Sequence, residues 1–258
     1  MAPLGLGTGF YGVGPNLGDL AGTDFLPPDN ANLAIWLRNN TSIAAERWND
    51  VSGNDRDAVQ ADSGAQASLS GGGLNFDSSG DSDFYEFPTT YLNAGGTNAW
   101  VLSIVFARDG GAADKNTIIG GADQDEYILI HDEETIFIET KASGSPPSGQ
   151  GAVQSKFIFP TDTWADGVKM AMTITKSAAG AFVFYKNGVS LTPSSTVNPA
   201  NIGENLRVKH LGAREDGTSS DDDHFHGVIY EFLFYTSFPA TQHKLANLNS
   251  YLVNKFGL

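Results

Sequence analysis

From residue 31 onward, short runs rich in β-branched and aromatic residues alternate with clusters of Gly, Asn, Asp and Ser. This pattern is typical of short strands joined by turns. The predicted strands lie at residues 33–37, 99–107, 117–119, 126–131, 135–139, 156–159, 168–175, 181–186, 206–211 and 227–235. Because no helical pattern separates them, the sequence predicts an all-β fold of two packed antiparallel sheets.

The predicted strand at residues 168–175 has a period of two residues. One face carries Val168, Met170, Met172 and Ile174, and the other carries Lys169, Ala171, Thr173 and Thr175. Such alternation is typical of a strand that buries one face and leaves the other half-exposed. We therefore expect this strand to lie beneath a second sheet on its apolar face only.

Asn187 and Gly188 follow an aromatic run that ends in Lys186. An Asn-Gly pair favours a tight hairpin turn because both residues tolerate a positive φ. The pair predicts that the strand at residues 181–186 turns back on itself.

Only the C-terminal end has a helical pattern, in which apolar residues recur at steps of three and four. These residues are Leu245, Leu248, Tyr251, Leu252 and Phe256. Pro239 stands near the start and Gly257 at the end, as the usual start and stop signals require. One amphipathic helix is predicted to close the domain.

Residues 1–29 differ from the rest of the chain, because glycine recurs at seven positions and the segment ends in Pro27, Pro28 and Asp29. We interpret the segment as an extended arm, followed by one domain at residues 30–258. The arm carries large apolar residues that an idle linker seldom has. These predicted partner-binding residues are Leu4, Leu6, Phe10, Tyr11, Val13, Leu17, Leu20 and Phe25. A disordered tail is the alternative.

Composition narrows the classes of function. The 258 residues carry a formal net charge of −15, which disfavours nucleic acid and anionic membrane surfaces as partners. The chain has no cysteine, so it has neither a thiolate nucleophile nor a cysteine zinc site. It shows no signal peptide, and no apolar run reaches the roughly 18 residues of a membrane span.

Several motifs resemble the concanavalin A-like lectin/glucanase superfamily, and within it the laminin-G-like jelly rolls. They are WNDVSGNDRDA at residues 48–58, GLNF at 73–76, DFY at 83–85, FYKNGV at 184–189 and GVIYEFLFY at 227–235. The ending YLVNKFG at residues 251–257 resembles phage and bacterial members, including virion structural proteins. The resemblance covers residues 31–258 and implies a jelly-roll β-sandwich. It does not select among lectins, glycosidases, lyases, adhesins and virion proteins.

The catalytic patterns of this superfamily are missing or incomplete in the chain. Its retaining glucanases need two carboxylates about 5 Å apart, from a Glu-x-Asp-x-x-Glu string that is not found here. The acids around residues 126–131 lie mainly in flanking turns. Tyr185 and Lys186 resemble part of a lyase site, but a companion arginine-rich strand is missing. We therefore expect no enzyme, and we keep a polysaccharide hydrolase or lyase as the third hypothesis.

The densest polar segment is EDGTSSDDDHFH at residues 215–226. Calcium takes hard oxygen ligands from such loops, so Asp221, Asp222 and Asp223 are the candidate metal ligands and calcium the candidate cofactor. The spacing fits no fixed calcium-loop pattern, and a hydrated acidic loop is the alternative. His224 and His226 share a face and are interpreted as structural or partner-facing residues.

Tryptophan side chains can stack on sugar rings or fill a core. Trp36 and Trp100 lie inside apolar runs and Trp48 belongs to a family turn, so all three are expected to pack. Trp164 is the one expected to be exposed and is the candidate carbohydrate-binding residue.

Two further hypotheses remain. In the first, the chain is a phage virion protein, a capsid decoration or cement protein or a tail or fibre component. It would assemble in the host cytoplasm, dock through its arm on other virion proteins, and form a homo-oligomer of closed symmetry. In the second, it is a carbohydrate-binding lectin or adhesin for a cell-surface glycan, with or without calcium.

Overall fold

The computed structural model describes residues 32–76, 83–87, 92–110, 115–141, 152–198, 205–214, 224–236 and 242–258. Its strands are β1 (Leu33–Leu37), β2 (Ile43–Ala44), β3 (Arg47–Trp48), β4 (Ala58–Val59), β5 (Ser68–Ser70), β6 (Gly73–Phe76), β7 (Tyr85–Glu86), β8 (Leu92–Asn93), β9 (Trp100–Arg108), β10 (Asn116–Gly120), β11 (Tyr127–Ile130), β12 (Thr135–Lys141), β13 (Ala152–Ile158), β14 (Met170–Lys176), β15 (Phe182–Lys186), β16 (Val189–Leu191), β17 (Ser195–Val197), β18 (Arg207–Val208), β19 (His210–Leu211) and β20 (Gly227–Thr236). The helix α1 spans Gln242–Phe256, and Ser63–Ala65 forms one 3₁₀ turn.

The strands form two large antiparallel sheets. The eight-stranded sheet has the order β16-β15-β14-β9-β20-β6-β5, and β1 also pairs with β20. The ten-stranded sheet has the order β17-β13-β12-β11-β10-β19-β7-β4-β3-β2, and β18 pairs with β8 alone. The predicted all-β sandwich with one C-terminal helix is confirmed.

The main core lies between the two sheets. Alternate residues of β9 project into it from the eight-stranded sheet, and alternate residues of β11 and β12 meet them from the ten-stranded sheet. These residues are Trp100, Leu102, Ile104, Phe106, Ile128, Ile130, Ile136 and Ile138. All are at most 2% exposed, as expected for inward positions of a two-residue period.

A second apolar layer lies on the outer face of the eight-stranded sheet, where α1 covers it. The helix contributes the predicted residues Leu245, Leu248, Tyr251 and Leu252, and Phe256 packs at the margin. Its end is also as predicted, because Gly257 has a φ of 67°. Within the described part of the chain, no helix is long and apolar enough to cross a membrane.

The helix overturns the prediction for residues 168–175. Every residue of β14 is buried, and Ala171 belongs to the helix-side cluster. Thr173 donates its hydroxyl to Asn249 of α1, 2.9 Å away. The expectation of a half-buried strand is therefore wrong, because a helix distant in sequence covers the face that carries small and polar residues. Val168, which was assigned to this strand, precedes it and is 48% exposed.

The turn at Asn187 and Gly188 is confirmed as a hairpin between β15 and β16. The two residues have φ values of 47° and 78°. The Asn187 backbone N–H donates to the Ala171 carbonyl, and its side-chain Oδ1 accepts from the Ala171 N–H, both at 2.8 Å. The turn is thereby joined to the neighbouring strand β14.

Strand β20 contains a bulge that directs a carboxylate towards the helix. The pairing with β9 shifts between Ile229 and Glu231. A bulge of this kind inserts one residue and breaks the two-residue alternation. Ile229 and Phe232 consequently both face the main core, while Tyr230 and Glu231 both lie on the helix side.

The carboxylate of Glu231 is fully buried and joins β20, β1 and α1. Its Oε1 accepts from the Trp36 indole N–H at 2.9 Å and from the Tyr251 hydroxyl at 2.5 Å. Its Oε2 forms an ion pair with Lys255 and accepts weakly from the Asn39 N–H at 3.4 Å. Burial and the Glu231 charge raise the pKa of Tyr251, so the phenol stays protonated and donates.

We predict that Glu231→Gln lowers the free energy of unfolding by about 3 kcal/mol, because it removes the partner of a largely buried cation and one strong acceptor. Glu46 is exposed, so Glu46→Gln serves as the matched control with a change below about 0.5 kcal/mol. Urea denaturation of both variants measures the difference. Equal losses in the two would show that Glu231 does not hold the helix.

Candidate functional site

Two groups of predicted site residues lie outside the described residues. The first is the set of apolar arm positions, and the second is the candidate calcium loop. They are Leu4, Leu6, Phe10, Tyr11, Val13, Leu17, Leu20, Phe25, Asp221, Asp222 and Asp223. Both assignments stay predictions.

Trp164 is placed differently from the prediction. Its side chain is 0% exposed, and its ring packs edge-to-face against Phe159 with centroids 5.3 Å apart. Its backbone N–H donates to the Glu133 carbonyl at 2.8 Å, which draws this loop onto the ten-stranded sheet. The expectation that Trp164 is exposed is therefore wrong, and in this conformation its ring offers no face to a sugar.

The other tryptophans follow the prediction. Trp36, Trp48 and Trp100 are 4%, 0% and 1% exposed. His224 is also buried, at 4%. In the described ranges, no group of three or more His, Asp or Glu side chains has the arrangement of a metal site.

The main polar assembly lies on the outer face of the ten-stranded sheet, around the turn that enters β11. We call it the outer-face cluster. It consists of Asp123, Glu126, Tyr127, Glu139, Lys141, Gln154, Arg207 and Arg214. Tyr127 and Glu139 point outward because their neighbours Ile128 and Ile138 point into the core. The same face carries Lys141, two residues after Glu139, and Gln154, which pairs with Glu139 on the next strand.

Glu126 and Arg207 form the ion pair that contains the most buried carboxylate of the outer-face cluster. Glu126 has 0% side-chain exposure, whereas Arg207 has 34%. The guanidinium donates through Nη2 at 2.5 Å and through Nε at 3.0 Å to Oε1. The Arg207 backbone N–H adds a bond of 2.6 Å to Oε2. This two-pronged geometry fixes the arginine head group more rigidly than a single bond would.

Asp123 and Lys141 form the second pair. Lys141 ends β12, and its ammonium group donates to Asp123 Oδ2, with side-chain exposures of 8% and 16%. Burial alone would raise the pKa of Asp123, but the hydrogen bonds from Lys141 and from the Asp125 N–H, with the charge of Arg207, lower it overall. Asp123 is therefore ionised in the folded protein at neutral pH.

The third part of the outer-face cluster joins the Tyr127 ring to polar groups on the neighbouring strands β12 and β13. The Tyr127 hydroxyl donates to Glu139 Oε2 at 2.6 Å, and the Gln154 amide donates to the same oxygen at 2.6 Å. The Arg214 guanidinium lies 4.4 Å from the Tyr127 ring centroid, within cation–π range. Burial and the Glu139 carboxylate raise the pKa of Tyr127, so this phenol is a donor.

Chemically, the outer-face cluster presents fixed guanidinium, amide, carboxylate and phenol groups on a rigid sheet. A binding site needs such groups to be held in place before the ligand arrives. Alternatively, the cluster has a purely structural role, as a buried ion network that holds the turn at residues 121–126 against β12 and β18.

Sequence reasoning located only part of the outer-face cluster. The sequence draws attention to the acids around Glu126, which it assigns to turns beside a strand. It does not indicate that Lys141, Arg207 and Arg214 are the cations that pair with the acids of the cluster. The available signal is that Arg207 stands within a predicted strand, and Lys141 and Arg214 stand two and three residues after one ends, in a chain with only 15 lysines and arginines. Their convergence depends on contacts between residues up to 90 apart.

No protein-family model matches the chain, and no curated protein matches it. Solved structures do. The sialidase of Trypanosoma rangeli has a TM-score of 0.54 and 14% identity over 89% of this chain and 33% of the sialidase. The binding domain of Paraclostridial mosquitocidal protein 1 has a TM-score of 0.58 and 13% identity over 86% of this chain and 53% of that domain.

The binding domain of botulinum neurotoxin serotype D is also similar, with a TM-score of 0.55 and 14% identity over 88% of this chain and 51% of that domain. The chain thus spans between a third and about half of these proteins. At such low identity the likeness shows a lectin-like sandwich fold. Because the neighbours include an enzyme and binding domains, the fold does not decide between catalysis and binding.

We predict that Asp123→Asn lowers the free energy of unfolding at pH 7 by about 2 kcal/mol, since Lys141 loses its counter-charge. A depressed carboxylate pKa stabilises the fold above the unfolded value of about 3.9, and this contribution disappears as the pH falls through the folded pKa. The wild-type and variant stabilities should therefore converge below about pH 4.

Asp55 is exposed and has a φ of 55°, which asparagine also adopts, so Asp55→Asn is the matched control. We expect it to change stability by less than about 0.5 kcal/mol at any pH. Denaturation at a series of pH values tests both. A constant gap between Asp123→Asn and wild type down to pH 3 would contradict the assignment.

Proposed function

We propose that the chain is a non-enzymatic binding module that recognises carbohydrate through the outer-face cluster. The observation that carries this proposal is the assembly of Tyr127, Glu139, Gln154, Arg207 and Arg214 on one outer sheet face. Hydroxyl groups of a sugar both donate and accept, so they suit a surface with donors and acceptors side by side. Gln154 is exposed and lies within reach of a ligand.

The structural neighbours are consistent with this class. One is described as the receptor binding domain of botulinum neurotoxin D, and the Trypanosoma rangeli sialidase is described in complex with sialic acid. Those functions belong to those proteins. For this chain they support a search among glycans.

The proposal predicts binding to at least one group of related structures on a glycan array. Gln154→Ala should weaken that binding about fivefold, since one well-placed hydrogen bond contributes on the order of 1 kcal/mol. Gln66 lies between the 3₁₀ turn and β5 of the eight-stranded sheet. Gln66→Ala is therefore the control and should bind as wild type. A repeat with chelator tests whether calcium takes part.

Absence of binding over a broad array would exclude a lectin function. Release of reducing ends or unsaturated products from any glycan of the array would instead favour a hydrolase or lyase, the enzymatic alternative.

We further propose that the module is displayed on a phage particle, as a capsid decoration or a tail or fibre component. The arm at residues 1–29 supports this proposal, because its apolar residues exceed what a spacer needs. In this proposal the arm docks on other virion proteins, and the module assembles in the host cytoplasm as a homo-oligomer.

Deletion of residues 2–29 should abolish incorporation into particles while the thermal unfolding of the sandwich stays unchanged. The measurement is the amount of the protein in purified particles, beside circular dichroism of the isolated domain. Unchanged incorporation of the shortened chain would contradict docking by the arm.

A further inference from the structure

The outer-face cluster is layered by charge. Its carboxylates lie beneath, with side-chain exposures of 0% for Glu126, 7% for Glu139 and 16% for Asp123. Its guanidinium groups lie above, at 34% for Arg207 and 24% for Arg214, whereas the third cation, Lys141, is 8% exposed and lies at the depth of the carboxylates. A ligand that approaches from solvent therefore meets the two guanidinium groups before the carboxylates of Glu126 and Glu139.

A further cation extends this layer along the same sheet face. Lys156 lies two residues after Gln154 on β13 and is half-buried. Its ammonium group lies 5.3 Å from the Phe137 ring centroid, so it is held over β12 rather than extended into solvent. Arg207, Arg214 and Lys156 thus form a partly exposed basic edge around the polar groups of the cluster.

This basic edge contrasts with the chain as a whole, whose formal net charge is −15. The overall field repels anions at long range, and at physiological salt it is screened beyond about 8 Å. At contact distance the nearest charges decide the interaction. Guanidinium groups donate to carboxylate and sulfate oxygens in bonds roughly twice as strong as those between neutral groups.

We infer that the outer-face cluster selects acidic saccharides, those that carry a carboxylate or a sulfate group, over neutral ones. The inference rests on the proposed carbohydrate-binding function and names its ligand class. The acidic group would lie against Arg214 and Lys156, and the neutral hydroxyls of the same saccharide would bond to Gln154 and the groups beside it.

The test compares lactose with its sialylated and sulfated derivatives by titration calorimetry on the full chain. The acidic derivatives should bind at least about tenfold more tightly than lactose at 0.05 M salt, with the ratio falling as salt is added. Equal or tighter binding of lactose would overturn the inference and leave the proposed function intact. Binding of none of the three, nor of any glycan on the array, would remove both.

Variants assign the effect to the basic edge. Lys156→Gln should reduce the acidic-to-neutral ratio at least about threefold while lactose affinity stays the same, and Arg214→Gln should reduce the ratio by at least a similar factor. Arg214→Lys keeps the charge and should recover part of the ratio, which separates charge from loss of packing on Tyr127. Arg47→Gln removes an exposed charge on β3, at 52% side-chain exposure, and should leave the ratio unchanged.

The expected ratios of the four variants support the inference together. An equal effect of Arg47→Gln would show that net charge, not this edge, sets the preference. An unchanged ratio in Lys156→Gln and Arg214→Gln, with both variants folded, would also overturn it.

Discussion

The buried carboxylate of Glu231 is the point at which the layers of this molecule meet. Strand β20 lies at the centre of the eight-stranded sheet, between β9 and β6, and also pairs with β1. A carboxylate with 0% exposure is costly to bury unless it is paired and hydrogen-bonded, and here Trp36, Tyr251 and Lys255 provide those partners. Because Tyr251 and Lys255 belong to α1, one charge fixes the helix on the sheet. The complete burial of β14 and of much of β9 follows from that placement.

The requirement that buried charges be paired also shapes the candidate site on the other sheet. Three carboxylates and three cations of the outer-face cluster are paired at short range, so their burial leaves little net charge. Pairing fixes the guanidinium groups in position as it stabilises the turn before β11. A structural ion network and a recognition surface are therefore compatible uses of the same residues, and the position of Glu126 and Glu139 below Arg207 and Arg214 gives the surface its polarity.

Fold and function are separate conclusions for this protein. The lectin-like sandwich is shown by the sheets, by the core and by the similarity to solved structures. Sandwiches of this kind occur in a sialidase and in toxin binding domains alike. The proposed role in carbohydrate binding depends instead on one polar cluster, and the proposed place on a virion depends on the apolar arm.

The sequence by itself determined the features that depend on local periodicity and turn chemistry. The ten predicted strands, the hairpin at Asn187 and Gly188, the amphipathic C-terminal helix and the burial of Trp36 and Trp100 all follow from neighbouring residues. Such patterns say which face of an element is apolar, but they do not say what covers the other face.

Only the tertiary structure decided the rest. The helix covers the small-residue face of β14, a bulge directs Glu231 to the helix, and a loop places Trp164 against Phe159. The outer-face cluster likewise joins residues between 123 and 214 through strand pairing. The physical reason is that a buried charge or ring is stabilised by the partners it meets in space, and those partners come from parts of the chain that no local period connects.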